Sequence, residues 1–211
     1  MKTYLFDFDG TLVDSMPYYC RAMLRILDEH HVPYGDDIIK IITPLGSAGT
    51  VRYFQSISDA PMQPEIIQKV MADLVQDYAN VIPAKEGVME TLRTLKAQSA
   101  SLNILTASPH ATLDPCAKRV GLWDICDNVW SCDDFGTSKA DPEIYRMAAQ
   151  RLGAKVQDVL FLDDNCNADR TAKAAGMPVC GVYDASSADY EEEMRSICDF
   201  YIRDFKELLS I

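Results

Sequence analysis

The stretch MKTYLFDFDGTLVDS, residues 1–15, decides the fold. Residues 3–8 form a short, mostly apolar run suited to a buried strand. The run carries two carboxylates at its end, Asp7 and Asp9, set just before Gly10. A buried, unpaired carboxylate is expensive, so a core strand that ends on two of them calls for a compensating charge. Two residues apart in extended backbone, both lean to one side. Gly10 then lets the chain leave in a conformation closed to other residues.

Working outward, the period of the sequence changes twice. Residues 15–79 read as helical, because "YYCRAMLRILDEHH", "DDIIKII", "TVRYFQSI" and "PEIIQKVMADLVQDYA" carry apolar positions at helical spacing. Pro33, Pro44, Pro61 and Pro64 punctuate this block, and no segment of it reads as a strand. After Pro83 strands and helices alternate. Strands are expected at "SLNILTA", "NVWSC", "DVLFLDD", "PVCGVY" and "DFYI". Helices are expected at "EGVMETLRTLKAQ", "PHATLDPCAKRVGL", "DPEIYRMAAQRLG", "NADRTAKAAG" and "DFKELLS", and around "YEEEMRSIC". That alternation predicts an α/β fold, a doubly wound parallel sheet covered by helices on both faces. The core is then discontinuous, residues 1–14 and 80–211, and an all-helical domain of residues 15–79 interrupts it after the first strand.

The 211 residues suffice for one large domain with an insertion. A net charge of −12 argues against nucleic acid and anionic lipid as partners. No stretch is apolar for long enough to span a bilayer, and the first residues lack the charged-then-apolar form of an export signal. The seven cysteines are scattered, with no CxxC or His-paired spacing, which fits reduced thiols in a cytoplasmic protein rather than a zinc site.

In an open parallel sheet, ligands gather beyond the carboxyl ends of the strands. Four predicted strands end in polar residues there: Asp7 with Asp9, Thr106 with Ser108, residues 132–134, and Asp163 with Asp164. Four aspartates meeting in one low-dielectric cleft repel one another and need a cation. An all-oxygen, hard set of ligands selects magnesium, which keeps several waters and bridges to phosphate oxygens.

"DFDGTLVDS" resembles the first motif of the haloacid dehalogenase superfamily of phosphohydrolases. The other family motifs follow in family order: Thr106 in "NILTAS", Lys139 in "SKADPEIY" and the acidic strand end in "VLFLDDNCNAD". The helical block resembles the family's C1 cap, so the resemblance covers nearly the whole chain. It implies a Rossmann-like core and a magnesium-dependent phosphatase acting on a small phosphate ester, in a monomer or weak dimer. Asp7 is then the nucleophile that forms an aspartyl phosphate, and Asp9 the general acid and base. Relatives acting on carbon–halogen bonds lack this second aspartate. Thr106, the neighbouring backbone N–H groups at Ala107, and Lys139 hold the phosphate. Asp7, the carbonyl of Asp9, and Asp164 hold Mg2+, with Asp163 direct or through water.

Two positions depart from the family pattern. Where the commoner GDxxxD motif places its second aspartate, four after Asp164, this chain has Ala168, so Asp163 is expected to take that role. Ala140 follows Lys139 where many relatives have proline. By the same resemblance specificity lies in the cap, around the expected turn at residues 43–49, with Thr43 and Arg52 as candidates for substrate contact. The nearest competing branch, the β-phosphoglucomutases, has a cap histidine at the place of Tyr19 and a Gly-Val-Ser-Arg turn, both missing here. A phosphoacceptor signalling domain also combines acids, Thr and Lys around magnesium, but its acidic pair precedes the acceptor and no helical insert follows its first strand. His30, His31 and His110 read as structural, since nothing pairs them with a nucleophile.

Overall fold

In the computed structural model, which describes residues 2–58 and 62–211, the opening apolar run becomes β1 (Thr3–Phe6), an interior strand of the sheet. Pro61 lies outside the described residues. Five further strands join it: β2 (Ser101–Thr106), β3 (Asn128–Ser131), β4 (Val159–Asp163), β5 (Val179–Val182) and β6 (Phe200–Ile202). All pairs are parallel, and the order is β3-β2-β1-β4-β5-β6. This is the Rossmann-like doubly wound arrangement, with a crevice where the connections on either side of β1 diverge.

The alternation along β1 sorts two cores. Tyr4 and Phe6 pack on one face of the sheet with Ile104 and Leu162, while Leu5 packs on the other with Leu105 and Phe161. Burial on both faces explains why β1 reads as a nearly unbroken apolar run. The first of these cores continues without a break into the helical block, through Met23, Ile26 and Phe54.

That block holds α1 (Met16–Glu29), α2 (Ile38–Ile42), α3 (Gly46–Ile57) and α4 (Pro64–Asn80). The core helices are α5 (Val88–Ala97), α6 (His110–Val120), α7 (Leu122–Ile125), α8 (Glu143–Arg151), α9 (Cys166–Ala174) and α10 (Glu191–Ile197). The two strands of chain leading into and out of the block are tied together. The Asp14 N–H donates to the Pro83 carbonyl at 2.9 Å, and the Lys85 N–H to the Leu12 carbonyl at 3.0 Å.

Two segments differ from their sequence reading. Residues 43–49, expected as a turn, form a 3-10 turn over Thr43–Leu45 that runs into α3. Gly46, at φ +63°, makes the break between them, a conformation costly for any other residue. The final "DFKELLS" is a 3-10 segment, Phe205–Ser210, started by a reciprocal cap between Asp204 and Glu207. Among the described residues no helix is long and apolar enough to cross a membrane, and all seven cysteines are free.

Candidate active site

Sheet register assembles the acidic group. Phe6 pairs with Leu162 between β1 and β4, and the Asp7 N–H extends that ladder by donating to the Leu162 carbonyl at 2.8 Å. Asp7 and Asp163 are therefore neighbours at the strand ends. Carboxylate oxygens of Asp7, Asp163 and Asp164 lie within 4.8 Å of one another, all three residues buried. Gly10, at φ +73°, makes this approach feasible: a Cβ there would collide with the Asp164 carboxylate. Thr11 Oγ1 donates to Asp164 Oδ1 at 3.0 Å, fixing that side chain against the turn after β1.

Among the described residues, Lys139 is the one cation hydrogen-bonded inside the group. Its Nζ donates to Asp7 Oδ1, and to Asp163 Oδ2 at 2.7 Å. Tyr145 Oη holds the Lys139 carbonyl at 3.2 Å, and the ammonium sits 5.3 Å from the centre of the Phe161 ring. Burial disfavours the charged ammonium, yet Asp163 and Asp7 hold its pKa well above the usual lysine value. One ammonium does not neutralise three carboxylates. Burial pushes the Asp7 carboxyl up to about 8, against the pull of Lys139 and with the help of Asp163. Burial and the Asp163 charge likewise push Asp164 well up. A buried set of oxygen ligands under this much mutual repulsion has the chemistry of a divalent-cation site, and the clearance at Gly10 gives it room to form.

Asp9 is half-buried and faces the helical block. Ser108 Oγ donates to its Oδ2 at 2.5 Å, with Thr106 Oγ1 further off at 3.4 Å. Tyr78, from α4, donates its phenol to Oδ1. Thr106 is buried and its Oγ1 also accepts the Ser108 N–H at 3.0 Å, which shapes the turn at Ala107. A cavity of about 740 Å³ opens over these groups, between the strand ends and helices α1, α3 and α4. Asp7, Asp9, Thr106, Ala107, Lys139, Asp163 and Asp164 all border it, so every residue expected at the reacting centre is brought together.

The two residues expected from the helical block fare differently. Thr43 borders the cavity, although its hydroxyl is turned back to the Ile39 carbonyl at 2.7 Å. Arg52 is exposed on α3 and does not border it. His110 lies between Asp114 and Asp134, away from the cavity, in a structural role.

Sequence reasoning missed two residues of the site. Tyr78 reads as an ordinary apolar-face position of an amphipathic helix, and only the fold brings its phenol to Asp9. Ser108 was visible as a polar strand end but carried no role. Asp169, one residue beyond Ala168, neither borders the cavity nor joins the acidic group. It is fully buried on the first turn of α9, with Oδ2 accepting from the Cys198 thiol at 3.2 Å and Oδ1 without a partner.

Comparison with known proteins adds an independent line. The family model for haloacid dehalogenase-like hydrolases matches residues 1–176. Pyrophosphatase PpaX of Bacillus velezensis is 30% identical over 181 residues, spanning 84% of this chain and 81% of that protein. Phosphoglycolate phosphatase of Salmonella typhi is 28% identical over 201 residues, spanning 84% and 79%. The crystal structure of CbbY from Rhodobacter sphaeroides, in complex with xylulose-(1,5)bisphosphate, superposes with a TM-score of 0.81 at 21% identity, covering 99% of this chain and 96% of that one.

Proposed function

The chain belongs to the haloacid dehalogenase-like hydrolases, and from that premise we propose that it hydrolyses a small phosphate monoester with magnesium through an aspartyl-phosphate intermediate. The phosphatase activity itself follows from the family and from relatives that include a pyrophosphatase and a phosphoglycolate phosphatase. The observation that carries the mechanism is the convergence of Asp7, Lys139, Asp163 and Asp164 below one cavity while Asp9 stands apart at its wall.

Asp7 Oδ attacks phosphorus, and the bond from phosphorus to the leaving oxygen breaks. Asp9 gives its proton to that leaving alkoxide. Asp9 then takes a proton from water as the water attacks the phosphoryl group, which releases inorganic phosphate and restores Asp7. Lys139 keeps positive charge beside the nucleophile throughout, and the N–H groups at the Ala107 turn face the phosphate oxygens. Asp7, Asp164 and the Asp9 carbonyl would hold magnesium. Asp163 serves behind them, because its two oxygens already accept from Lys139 and from the Asn165 N–H at 2.7 Å. When bound, the ion screens the charge of the phosphate from that of the carboxylates.

The helical block, residues 15–79, acts as a cap that excludes water and meets the leaving group. A phosphomutase reading is disfavoured by the cap side of the cavity. Tyr19 occupies the position of the mutase histidine, and its phenol is 2.8 Å from the Thr50 hydroxyl. No histidine borders the cavity among the described residues.

The test is a panel of small phosphate esters with magnesium, comparing the wild type with Asp7→Asn. The wild type should release inorganic phosphate, and the variant should lose at least about 10⁴-fold in kcat. Equal rates for the two proteins would end the covalent mechanism.

A further inference from the structure

Resting on the phosphatase reading, we infer that this enzyme takes monoesters whose leaving group is uncharged and largely apolar, and rejects those carrying a second anion. The cavity supplies the reason. On the cap side it is walled by Met16, Leu45, Met71, Leu74 and Val75. Leu45 is 41% exposed although it borders a cavity, so an apolar surface lies open where the leaving group must sit.

Cations are as informative. Among the described residues only Lys139 and Arg170 border the cavity with positive charge. Lys139 is committed to Asp7 and Asp163 at the reacting centre. Arg170, on α9, forms an ion pair with Glu193 of α10, which also borders the cavity. Three other basic groups of this region are occupied elsewhere, and Arg52 lies exposed on α3, off the cavity. Lys85 binds the Gly10 and Tyr183 carbonyls and Asp184, Arg119 binds the Tyr78 and Ala79 carbonyls, and Lys40 pairs with Asp189.

A carboxylate or second phosphate on the leaving group would therefore be drawn out of water onto an apolar wall, with no unpaired cation to receive it. It would also approach a site already dense in aspartates, in a chain of net charge −12. Glu193 is the specificity-determining residue in this scheme, because it pairs with Arg170, the one cation bordering the cavity among the described residues that is not committed to the reacting centre.

Matched pairs of esters test this. Phenyl phosphate is compared with 4-carboxyphenyl phosphate, and ethyl phosphate with 2-phosphoglycolate, each pair differing essentially by one carboxylate. The wild type should favour the uncharged member of each pair by at least about 100-fold in kcat/KM. E193Q, which frees Arg170, should narrow that ratio by about fivefold or more. Equal kcat/KM within a pair overturns the inference. A ratio that stands but does not respond to E193Q removes Glu193 from it. Release of phosphate from none of the four esters, with intact folding, overturns instead the phosphatase reading and the inference with it.

Discussion

Across the one cavity, the strand ends and the helical block present opposite surfaces. The strand side gathers Asp7, Asp163 and Asp164 beside Lys139, with Asp9 held apart at the wall by Ser108, each fixed by a backbone register or a hydrogen bond. The helical side presents mainly methionine, leucine and valine, with Tyr19, Thr43 and Ser47 among them, and hydrogen-bonds to Asp9 through the phenol of Tyr78. The difference separates two tasks. Chemistry at phosphorus needs charges that cannot relax, so they sit on a rigid sheet. On the proposed reading, recognition of the leaving group needs only shape and exclusion of water, so it falls to helices that pack against the core through side chains. Backbone hydrogen bonds tie the two together at residues 14 and 83–85, and Arg119 of α6 holds the Tyr78 and Ala79 carbonyls.

The strongest way to break the strand side is Lys139→Met. With the ammonium gone, Asp7 and Asp163 face each other uncompensated in a buried site. Loss of one partner from a buried ion pair costs about 3–5 kcal/mol. A clear fall in the melting temperature of the metal-free variant is expected, together with loss of turnover. A variant as stable and active as the wild type would mean that Lys139 does not balance this cluster.

Next in size is a pH effect on the same carboxylates. The Asp7 carboxyl moves from its ordinary 3.8 to about 8, chiefly through burial, with Lys139 opposing and Asp163 adding. Between those two values the folded protein keeps a proton that the unfolded chain has released. Without metal this group therefore lowers stability as pH rises from about 4 to about 8. On the proposed reading magnesium binds the ionised form, so its stabilisation should grow over the same interval. Thermal melts with magnesium and with EDTA should differ by more at pH 8 than at pH 5. A gap independent of pH would remove the carboxylate cluster as the metal site.

Legibility followed the same divide. The strand side was readable because a parallel sheet turns sequence into position: apolar runs ending in acids must converge once the strands pair side by side. Asp7 and Asp163 meet for that reason alone. The helical side was not readable, since an apolar stripe in a helix looks the same whether it faces a core or a cavity. Tyr78 illustrates this, being buried like its stripe neighbours Val70 and Leu74 but ending on Asp9.

Tyr78→Phe probes the hydrogen bond that joins the helical side to Asp9. The ring stays, so packing is kept, and only the donor to Asp9 is lost. Ser108 still holds the other oxygen. If Tyr78 acts by orienting Asp9, kcat should fall about 10-fold with KM nearly unchanged, the mark of an interaction felt in the transition state. A rise in KM at constant kcat would place Tyr78 instead among the groups that merely bind substrate.

The smallest expected effect is the most exacting for the contrast between the two surfaces. Arg52 attracts attention as a cap-borne cation able to hold a carboxylate, and the structure leaves it exposed on α3, off the cavity. Arg52→Ala should change kcat/KM for any ester by less than about twofold, as expected of a surface substitution away from the site. Suppose instead that it lowered turnover of 2-phosphoglycolate 10-fold while sparing ethyl phosphate. The helical block would then have to swing far enough in the working enzyme to bring a guanidinium over the leaving group. The charge-free wall would belong to one position of the cap and not to the catalytic one.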